Sequence, residues 1–289
     1  MPIDRLSFEI ARQVYWNLYS EFIKWGASTE VWLGIPLVFV VEGILPAQRY
    51  QANIGVLQDV IYLVVSKLSR AVLLALYMVF LKNVFDALLG WTTVDLALKW
   101  GPYKAAFLAW LIADFLGWLQ HIVRHKVPVF WAFHTVHHSQ TRLNTFTRER
   151  GHPLDLLTAY TIKFIPFLWL QLSLDLSIVY IGFSAFLDTA NHSNIRTNCG
   201  FLRYIFVTPQ SHRIHHSYRP QHIDKNFGVT LCIWDRLFGT HYENADEYPE
   251  TGIVEADFPI EKVGRTRLSD LTRQLAYPFR LAADTLRPR

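Results

Sequence analysis

All twelve histidines of this 289-residue chain lie between His121 and His241. Nine of them follow a spaced pattern: HxxxH at residues 121–125, HxxHH at 134–138, a lone His192, and HxxHH at 212–216. Side chains three and four positions apart share one face of a helix, so each motif can direct two or three imidazoles to one point. A zinc site uses only three or four protein ligands, whereas nine imidazoles are enough for two metal ions. Imidazole binds Fe, Zn, Cu and Ni, so the ligand type alone leaves the metal open.

Apolar stretches predict an all-α integral membrane protein. Hydrophobic residues make up 51% of the chain and charged residues 18%, and there are ten Trp, a residue common at membrane interfaces. Four stretches come close to the roughly 20 apolar residues that span a bilayer, namely residues 31–46, 71–90, 105–119 and about 162–187. The fourth is long enough for one tilted helix or for two shorter helices broken near Ser173. Acidic residues interrupt these stretches, so buried helices of a soluble protein are the alternative.

The order of the motifs places the histidines on one side of the membrane. The HxxxH pair closes the third apolar stretch, and Pro128 then suits the start of a new helix. The second HxxHH follows the fourth stretch, so the chain returns to the same side. Arg and Lys residues flank the stretches there, which favours the cytoplasmic face. We predict an amphipathic segment over residues 1–30, a catalytic domain over 31–241 and a polar C-terminal tail over 242–289.

Other polar residues near the motifs are weaker candidates. Asp188 lies four residues before His192 and could be a metal ligand, an acceptor for a histidine N–H, or an ordinary helix residue. His152, which precedes a proline, is predicted to support the site or to lie in a loop, and Asn226 is a possible supporting residue or ligand. His222 and His241 are predicted to be peripheral.

The ordered motifs resemble those of the fatty acid hydroxylase/sterol desaturase superfamily of membrane di-iron enzymes. Further segments with this likeness are residues 144–155, 191–194, 224–228 and 234–240, with Asp155 where Glu is usual and Phe227 where Tyr is usual. The likeness extends over about residues 113–241.

The resemblance implies a four-helix membrane bundle with a histidine-lined cytoplasmic cap and two iron ions. The implied ligands are eight boxed histidines with His192 as a ninth: His121, His125, His134, His137, His138, His212, His215 and His216. Some lipid hydroxylases of the group carry a further His where this chain has Asp188. The implied reaction uses O2 and two electrons to hydroxylate or desaturate a membrane lipid, either sterol-like or fatty-acyl. The chain has no GxGxxG loop and no HPGG haem motif, so a separate donor of the cytochrome b5, ferredoxin or reductase type is expected.

Three other functions are weighed against this interpretation. A zinc-dependent membrane hydrolase would need a carboxylate base as in HExxH, and no histidine here is followed by Glu. A lipid acyltransferase would use HxxxxD, which fits only His241 with Asp246 and leaves the other motifs unexplained. The third alternative is a non-enzymatic metal transport or metal-binding protein. Transport would favour ligands at mid-membrane, whereas these histidines are predicted at helix ends among Arg and Lys residues. The net charge of +4 does not indicate a nucleic-acid partner.

Overall fold

The computed structural model describes residues 34–48, 54–69, 75–170, 174–261 and 267–286. It contains eleven α-helices in these ranges: α1 Ile35–Ile44, α2 Ile54–Ser69, α3 Ala75–Leu89, α4 Leu96–Trp100, α5 Pro102–Lys126, α6 Pro128–His138, α7 Pro153–Trp169, α8 Leu174–Asn191, α9 Pro209–His215, α10 Ile233–Phe238 and α11 Arg267–Leu286. Three 3-10 helices cover Gly90–Thr92, Thr147–Glu149 and Gly200–Tyr204. Within the described ranges, β pairing is limited to two isolated bridges, Pro46 with Ile195 and Phe206 with Leu231. The predicted all-α class is confirmed for these residues.

Helix α5 is the centre of the fold and packs against α6, α7 and α8. It begins after Gly101, whose φ of 84° ends the preceding segment, and a proline occupies its first turn. Alanines line its buried face, with Ala105, Ala106 and Ala109 fully buried, so neighbouring helices approach closely. The last two turns carry the HxxxH pair, and α6 begins at Pro128, as the sequence predicted.

Helix α5 is also the one helix in the described ranges that is long and apolar enough to cross a membrane. Helix α1 and residues 55–66 of α2 are shorter apolar helices. The fourth apolar stretch forms two helices, since α7 ends at Trp169 and α8 begins at Leu174. The number of four membrane helices stays a prediction.

The sequence analysis did not anticipate helix α2. Its buried positions include Gln58, Asp59 and Ser66, all of which have under 4% of their surface exposed. These polar groups break the apolar periodicity on which a helix prediction depends. Their burial becomes possible only through partners elsewhere in the fold, described below.

The described residues after 241 include a helix that packs on the bundle. Helix α11 packs on α6 and α2, where Tyr62, Val136, Leu271 and Tyr277 form one buried cluster with Phe258. The second HxxHH helix and this C-terminal helix therefore both build on the same central bundle. The segment predicted over residues 1–30 lies outside the described residues, and the domain boundaries stay predictions.

Candidate metal centre

The four histidine motifs come together at one end of the bundle. The HxxxH pair ends α5, the first HxxHH ends α6, His192 directly follows α8, and the second HxxHH forms the end of α9. Thr208 caps α9 through a reciprocal pair of hydrogen bonds with Ser211, which fixes where the short helix begins. Proline at the first turn of α6 and of α9 sets the start of both HxxHH helices.

The nine histidines form two groups whose ligand atoms lie within 4.8 Å of one another inside each group. The five-histidine group consists of His121, His125, His134, His138 and His215, and the four-histidine group of His137, His192, His212 and His216. Each HxxHH therefore divides its side chains between the two groups, two to one group and one to the other. The sequence predicted nine convergent imidazoles but not this division.

Acceptors outside the groups fix the orientation of five imidazole rings. The Nδ1 atoms of His121, His137 and His215 lie 2.9 Å from the backbone carbonyls of Phe227, Arg150 and Lys225, respectively. His192 Nδ1 lies 2.7 Å from the Asp188 carbonyl, and His134 Nδ1 lies 3.0 Å from an Asp155 carboxylate oxygen. Since a carbonyl or carboxylate can only accept, Nδ1 carries the proton, and the neutral ring presents an unprotonated Nε2 to the interior.

Several of these Nε2 atoms face each other at short distance. The Nε2 atoms of His137 and His192 are 3.0 Å apart, and those of His121 and His134 are 3.2 Å apart. With Nδ1 protonated on both rings, neither member of these pairs can donate to the other. Two nitrogens that bind one metal ion at about 2.0–2.1 Å each are also roughly 3 Å apart. The lone pairs of the two Nε2 atoms in each pair therefore repel each other. A metal cation bound by both nitrogens would remove this repulsion.

Burial keeps these imidazoles in the form that binds metal. It lowers the pKa of His137 and of His212, with a further lowering by His192 in both cases. It lowers the pKa of His215 to about 3. A neutral imidazole with a free lone pair is therefore the state of these rings at neutral pH.

The donor set fits a pair of metal ions. The Nε2 atoms of His125, His138 and His215 are buried without a hydrogen-bond partner in the described part of the chain. Such groups cost free energy unless something binds them. Nitrogen ligands without thiolate suit Fe, Zn, Cu or Ni, and the groups of five and four provide enough of them for two ions.

A buried ion pair supports the five-histidine group from outside. Asp155 accepts from His134 at 3.0 Å and from Arg124 at 3.1 Å, and its side chain is 5% exposed. The carboxylate strengthens the imidazole as a ligand and fixes its ring plane. Sequence reasoning noted Asp155 only as a substitution in a motif and did not assign it this contact.

The loop at residues 225–228 supplies two of the orienting carbonyls and is itself anchored by Asp235. That carboxylate accepts from the backbone N–H groups of Phe227 and Gly228 at 2.9 and 2.7 Å. It also accepts from the indole of Trp118 at 3.0 Å and the hydroxyl of Thr240. The segments at residues 224–228 and 234–240, noted in the sequence analysis, thus have a structural role in orienting His121 and His215.

Asn226 lies in this loop and is not in either histidine group. Its amide donates to the Ser211 carbonyl at 2.9 Å and accepts from the Tyr242 N–H at 2.9 Å. Its φ of 56° is in the left-handed region, which Asn tolerates better than most residues. The residue ties the loop to α9 and supports the site rather than facing it.

Asp188 is outside both groups, on the outer side of His192. One carboxylate oxygen lies 3.2 Å from His192 Nδ1, and the other accepts from Arg148 at 2.9 Å. The His192 N–H donates to the backbone carbonyl of Asp188, whereas the Asp188 carboxylate pairs with Arg148; of the three roles that the sequence left open, the residue is thus nearest to an acceptor for a histidine N–H, through its backbone.

The three remaining histidines lie away from the groups. His152 caps α7 by accepting from the Leu154 N–H and packs between Phe133 and Phe279. His222 is fully buried beside Glu247, and His241 contacts Arg236.

A cavity of about 180 Å³ connects the histidines to the apolar part of the bundle. Its polar end is lined by His121, His134, His137, His192 and His212. Its apolar end is lined by Trp110, Ala113 and Phe167, which belong to the packing between α5 and α7. The cavity thus brings an apolar compartment against both groups of imidazoles.

Comparison with known proteins agrees with this geometry. A family profile described as "Fatty acid hydroxylase" matches residues 106–240. The chain is 30% identical over 195 residues to the alkylglycerol monooxygenase of Caenorhabditis elegans, covering 64% of this chain and 35% of that protein. It is 33% identical over 180 residues to an ornithine lipid hydroxylase of Rhizobium tropici, covering 59% of this chain and 54% of that protein. It is 34% identical over 143 residues to the human alkylglycerol monooxygenase, covering 50% and 32%.

These matches span only about a third to a half of the length of the relatives. No solved structure matches the chain. The profile match begins inside α5 and ends just before His241, so it encloses every residue of the two histidine groups. Residues 106–240, which carry the nine histidines that the sequence predicts as metal ligands, match the fatty acid hydroxylase family, in agreement with the resemblance seen in the sequence.

Proposed function

We propose that this chain is an O2-dependent di-iron oxidoreductase that hydroxylates a membrane lipid. The observation that carries the proposal is the inward set of unprotonated Nε2 atoms in two groups, placed at the end of a cavity with an apolar far wall. The relatives named above are a monooxygenase and a hydroxylase, which favours hydroxylation over desaturation.

The five-histidine group would hold one iron and the four-histidine group the other. When bound, the iron pair supplies activation of O2 and removal of hydrogen from an unactivated C–H bond, which side chains alone cannot do. The protein holds the imidazoles through Nδ1 contacts, excludes water by burying the rings, and aims the substrate. Among the described residues we find no nucleophile and base pair at the cavity that would indicate hydrolysis instead. Three carboxylates line the cavity. Asp155 and Asp188 pair with arginines, and Asp114 accepts from the Trp234 indole and from the backbone N–H groups of Thr230 and Leu231.

The substrate that the cavity favours is an amphiphilic lipid with an alkyl portion. Trp110, Ala113 and Phe167 offer an apolar surface to such a chain, and the histidines lie at the other end. The relatives are named for alkylglycerol and ornithine lipid, so a polar lipid is a better first substrate to test than a sterol.

We further propose that α5 spans the membrane within a bundle of about four helices, with the histidines facing the cytoplasm. Support comes from the length and hydropathy of α5 and from the basic residues that end it, Arg124 and Lys126. Electrons would come from a separate cytochrome b5-, ferredoxin- or reductase-type donor.

The test combines metal analysis with isotope labelling on detergent-purified protein. Wild-type protein reconstituted with Fe(II) should hold two irons per chain, and His137→Ala/His215→Ala, which removes one ligand from each group, should lose them. The matched control His241→Ala removes a histidine outside the groups and should retain both ions.

With 18O2, a reductant and a lipid panel, the product should carry 18O from O2. Label arriving from H2 18O instead would indicate hydrolysis. A protein that folds normally and binds no iron would rule out the di-iron centre.

A further inference from the structure

A surface patch beside the metal centre exposes six large apolar side chains. They come from the 3-10 helix Gly200–Tyr204 with the residue after it and from the end of α10: Phe201, Leu202, Tyr204, Ile205, Leu237 and Phe238. Phe201 is 75% exposed and Leu237 is 70% exposed. Contiguous exposed apolar surface of this kind marks a binding surface for protein or membrane. We call these six residues the apolar patch.

The apolar patch belongs to a packed unit. The Cys232 N–H donates to the Ile205 carbonyl at 2.9 Å, and Phe206 forms a β bridge with Leu231. The two halves of the patch are therefore held side by side by the backbone. Their side chains point outward although the segment beneath them is well anchored.

Contacts with α5 place the patch at a particular level along the bundle. Phe238 stacks on Trp118 with ring centroids 4.8 Å apart, and Trp234 contacts Phe115 at 5.1 Å. Phe115 and Trp118 precede His121 by one to two helical turns, which is about 5–9 Å along the axis. The patch lies next to the one described helix that is long enough to cross a bilayer, just on the apolar side of the histidines.

Charge and aromatic content fit the headgroup level of a membrane. The guanidinium groups of Arg203 and Arg236 lie 5.0 and 5.2 Å from the Tyr204 ring, at the edge of the patch. Arginines whose stems lie on apolar surface can reach phosphates while the apolar groups enter the acyl region. At the opposite end of α5, Trp100 and Tyr103 are also exposed, as expected of a second aromatic belt.

We infer that the apolar patch is a lipid-contacting surface, with its apolar side chains in the acyl region and Arg203 and Arg236 at the level of the lipid phosphates. This inference rests on the membrane location proposed above. This geometry also sets the depth of the histidines. They lie one to two turns of α5 closer to the water than the patch, at the membrane–water interface.

Spin-label depth measurements on the full chain in phospholipid nanodiscs test the inference. In a Cys199→Ser/Cys232→Ser background, single cysteines replace Phe201, Leu237, Phe107 and Ile223. Phe107 is an exposed residue of α5, and Ile223 is an exposed apolar residue next to Asp224, which pairs with the last residue of α5. Each label is then probed by collision with O2, which concentrates in lipid, and with a nickel chelate, which stays in water.

The expected result is a several-fold higher O2-to-chelate ratio at 201 and 237 than at 223, with the ratio at 107 highest. Labels at 201 and 237 that match 223 while 107 remains in lipid would overturn the inference and leave the membrane location intact. Labels at 201 and 237 that neither agent reaches would also overturn it, because another protein surface would then cover the patch. All four labels in water would instead refute the membrane location itself.

Discussion

Replacing Asp59 by Asn tests how a helix far from the histidines in sequence supports the metal centre. Asp59 lies on α2 and accepts from the Arg150 guanidinium at 2.6 Å, with both side chains fully buried. Its second oxygen accepts from Gln140, Asn144 and Thr147 at 2.7–2.9 Å. The Arg150 carbonyl in turn accepts from Nδ1 of His137. Loss of the Asp59 charge should therefore lower the free energy of unfolding and weaken metal binding by the four-histidine group.

The size of the effect follows from the burial. An asparagine has one acceptor oxygen, so either the arginine or the three other donors must face an NH2 group. Breaking a buried ion pair by removing one partner costs about 3–5 kcal/mol. Glu261 remains beside Arg150, which places the expected loss near the lower end of that range. With an unfolding entropy of about 2.1 cal/mol/K per residue, that loss corresponds to a fall of roughly 5–7 °C in Tm for a chain of this size.

The assay is thermal unfolding of detergent-purified protein, with metal content measured on the same samples. Glu243→Gln is the matched control, because Glu243 pairs with Arg236 at 3.3 Å but is 77% exposed. An exposed pair contributes only about 0–1 kcal/mol, so its Tm should change little. Asp59→Asn should also bind metal more weakly, since the carbonyl that orients His137 is no longer held. Equal Tm values for the two variants would refute the reasoning.

Three further predictions follow from the same contacts. Asp155→Asn should weaken metal binding about 10–100-fold, because the carboxylate orients His134, and unchanged affinity in a chelator competition would contradict this. Gly228→Ala should lower Tm and metal content together, since a Cβ there would lie 2.7 Å from the Leu231 carbonyl oxygen; a wild-type Tm would show that the loop can yield. The metal-free protein should lose stability as the pH falls below about 6.5. His215 takes up a proton there in the unfolded chain, whereas burial keeps it neutral in the folded chain, where its pKa is about 3. The Tm of metal-free protein at pH 5.5 and 7.5 checks this, and a higher value at pH 5.5 would contradict it.

Local spacing in the sequence was enough to predict which side chains share a helix face. HxxxH and HxxHH direct imidazoles to one face of a helix whatever the rest of the fold does, because residues three and four apart are neighbours on any helix. The break after Pro128 follows in the same way from proline geometry. The shared face within each boxed motif was therefore predictable from spacing, whereas His192 stands outside those motifs, and the meeting of the motifs was expected only from their order in the chain.

The division of those histidines between two groups was decided by the tertiary structure. Residues 134, 137 and 138 are adjacent on α6, yet His137 joins His192 and His212 while its neighbours join the α5 pair. Which group a ring enters depends on where α5, α8 and α9 converge on α6. That is a property of packing between distant segments, and no local spacing encodes it.

The supporting contacts were also beyond the sequence. A buried Asp59 or Asp235 is unfavourable on local grounds, because burying a charge costs free energy unless partners satisfy it. Arg150 and the 225–228 loop are those partners, and they lie 91 and seven to eight residues away in the chain. The sequence by itself determined which side chains could bind metal, since a motif's geometry is local. Only the folded structure decided which rings belong to the same group and which contacts orient each ring, because those contacts join residues from different segments of the chain.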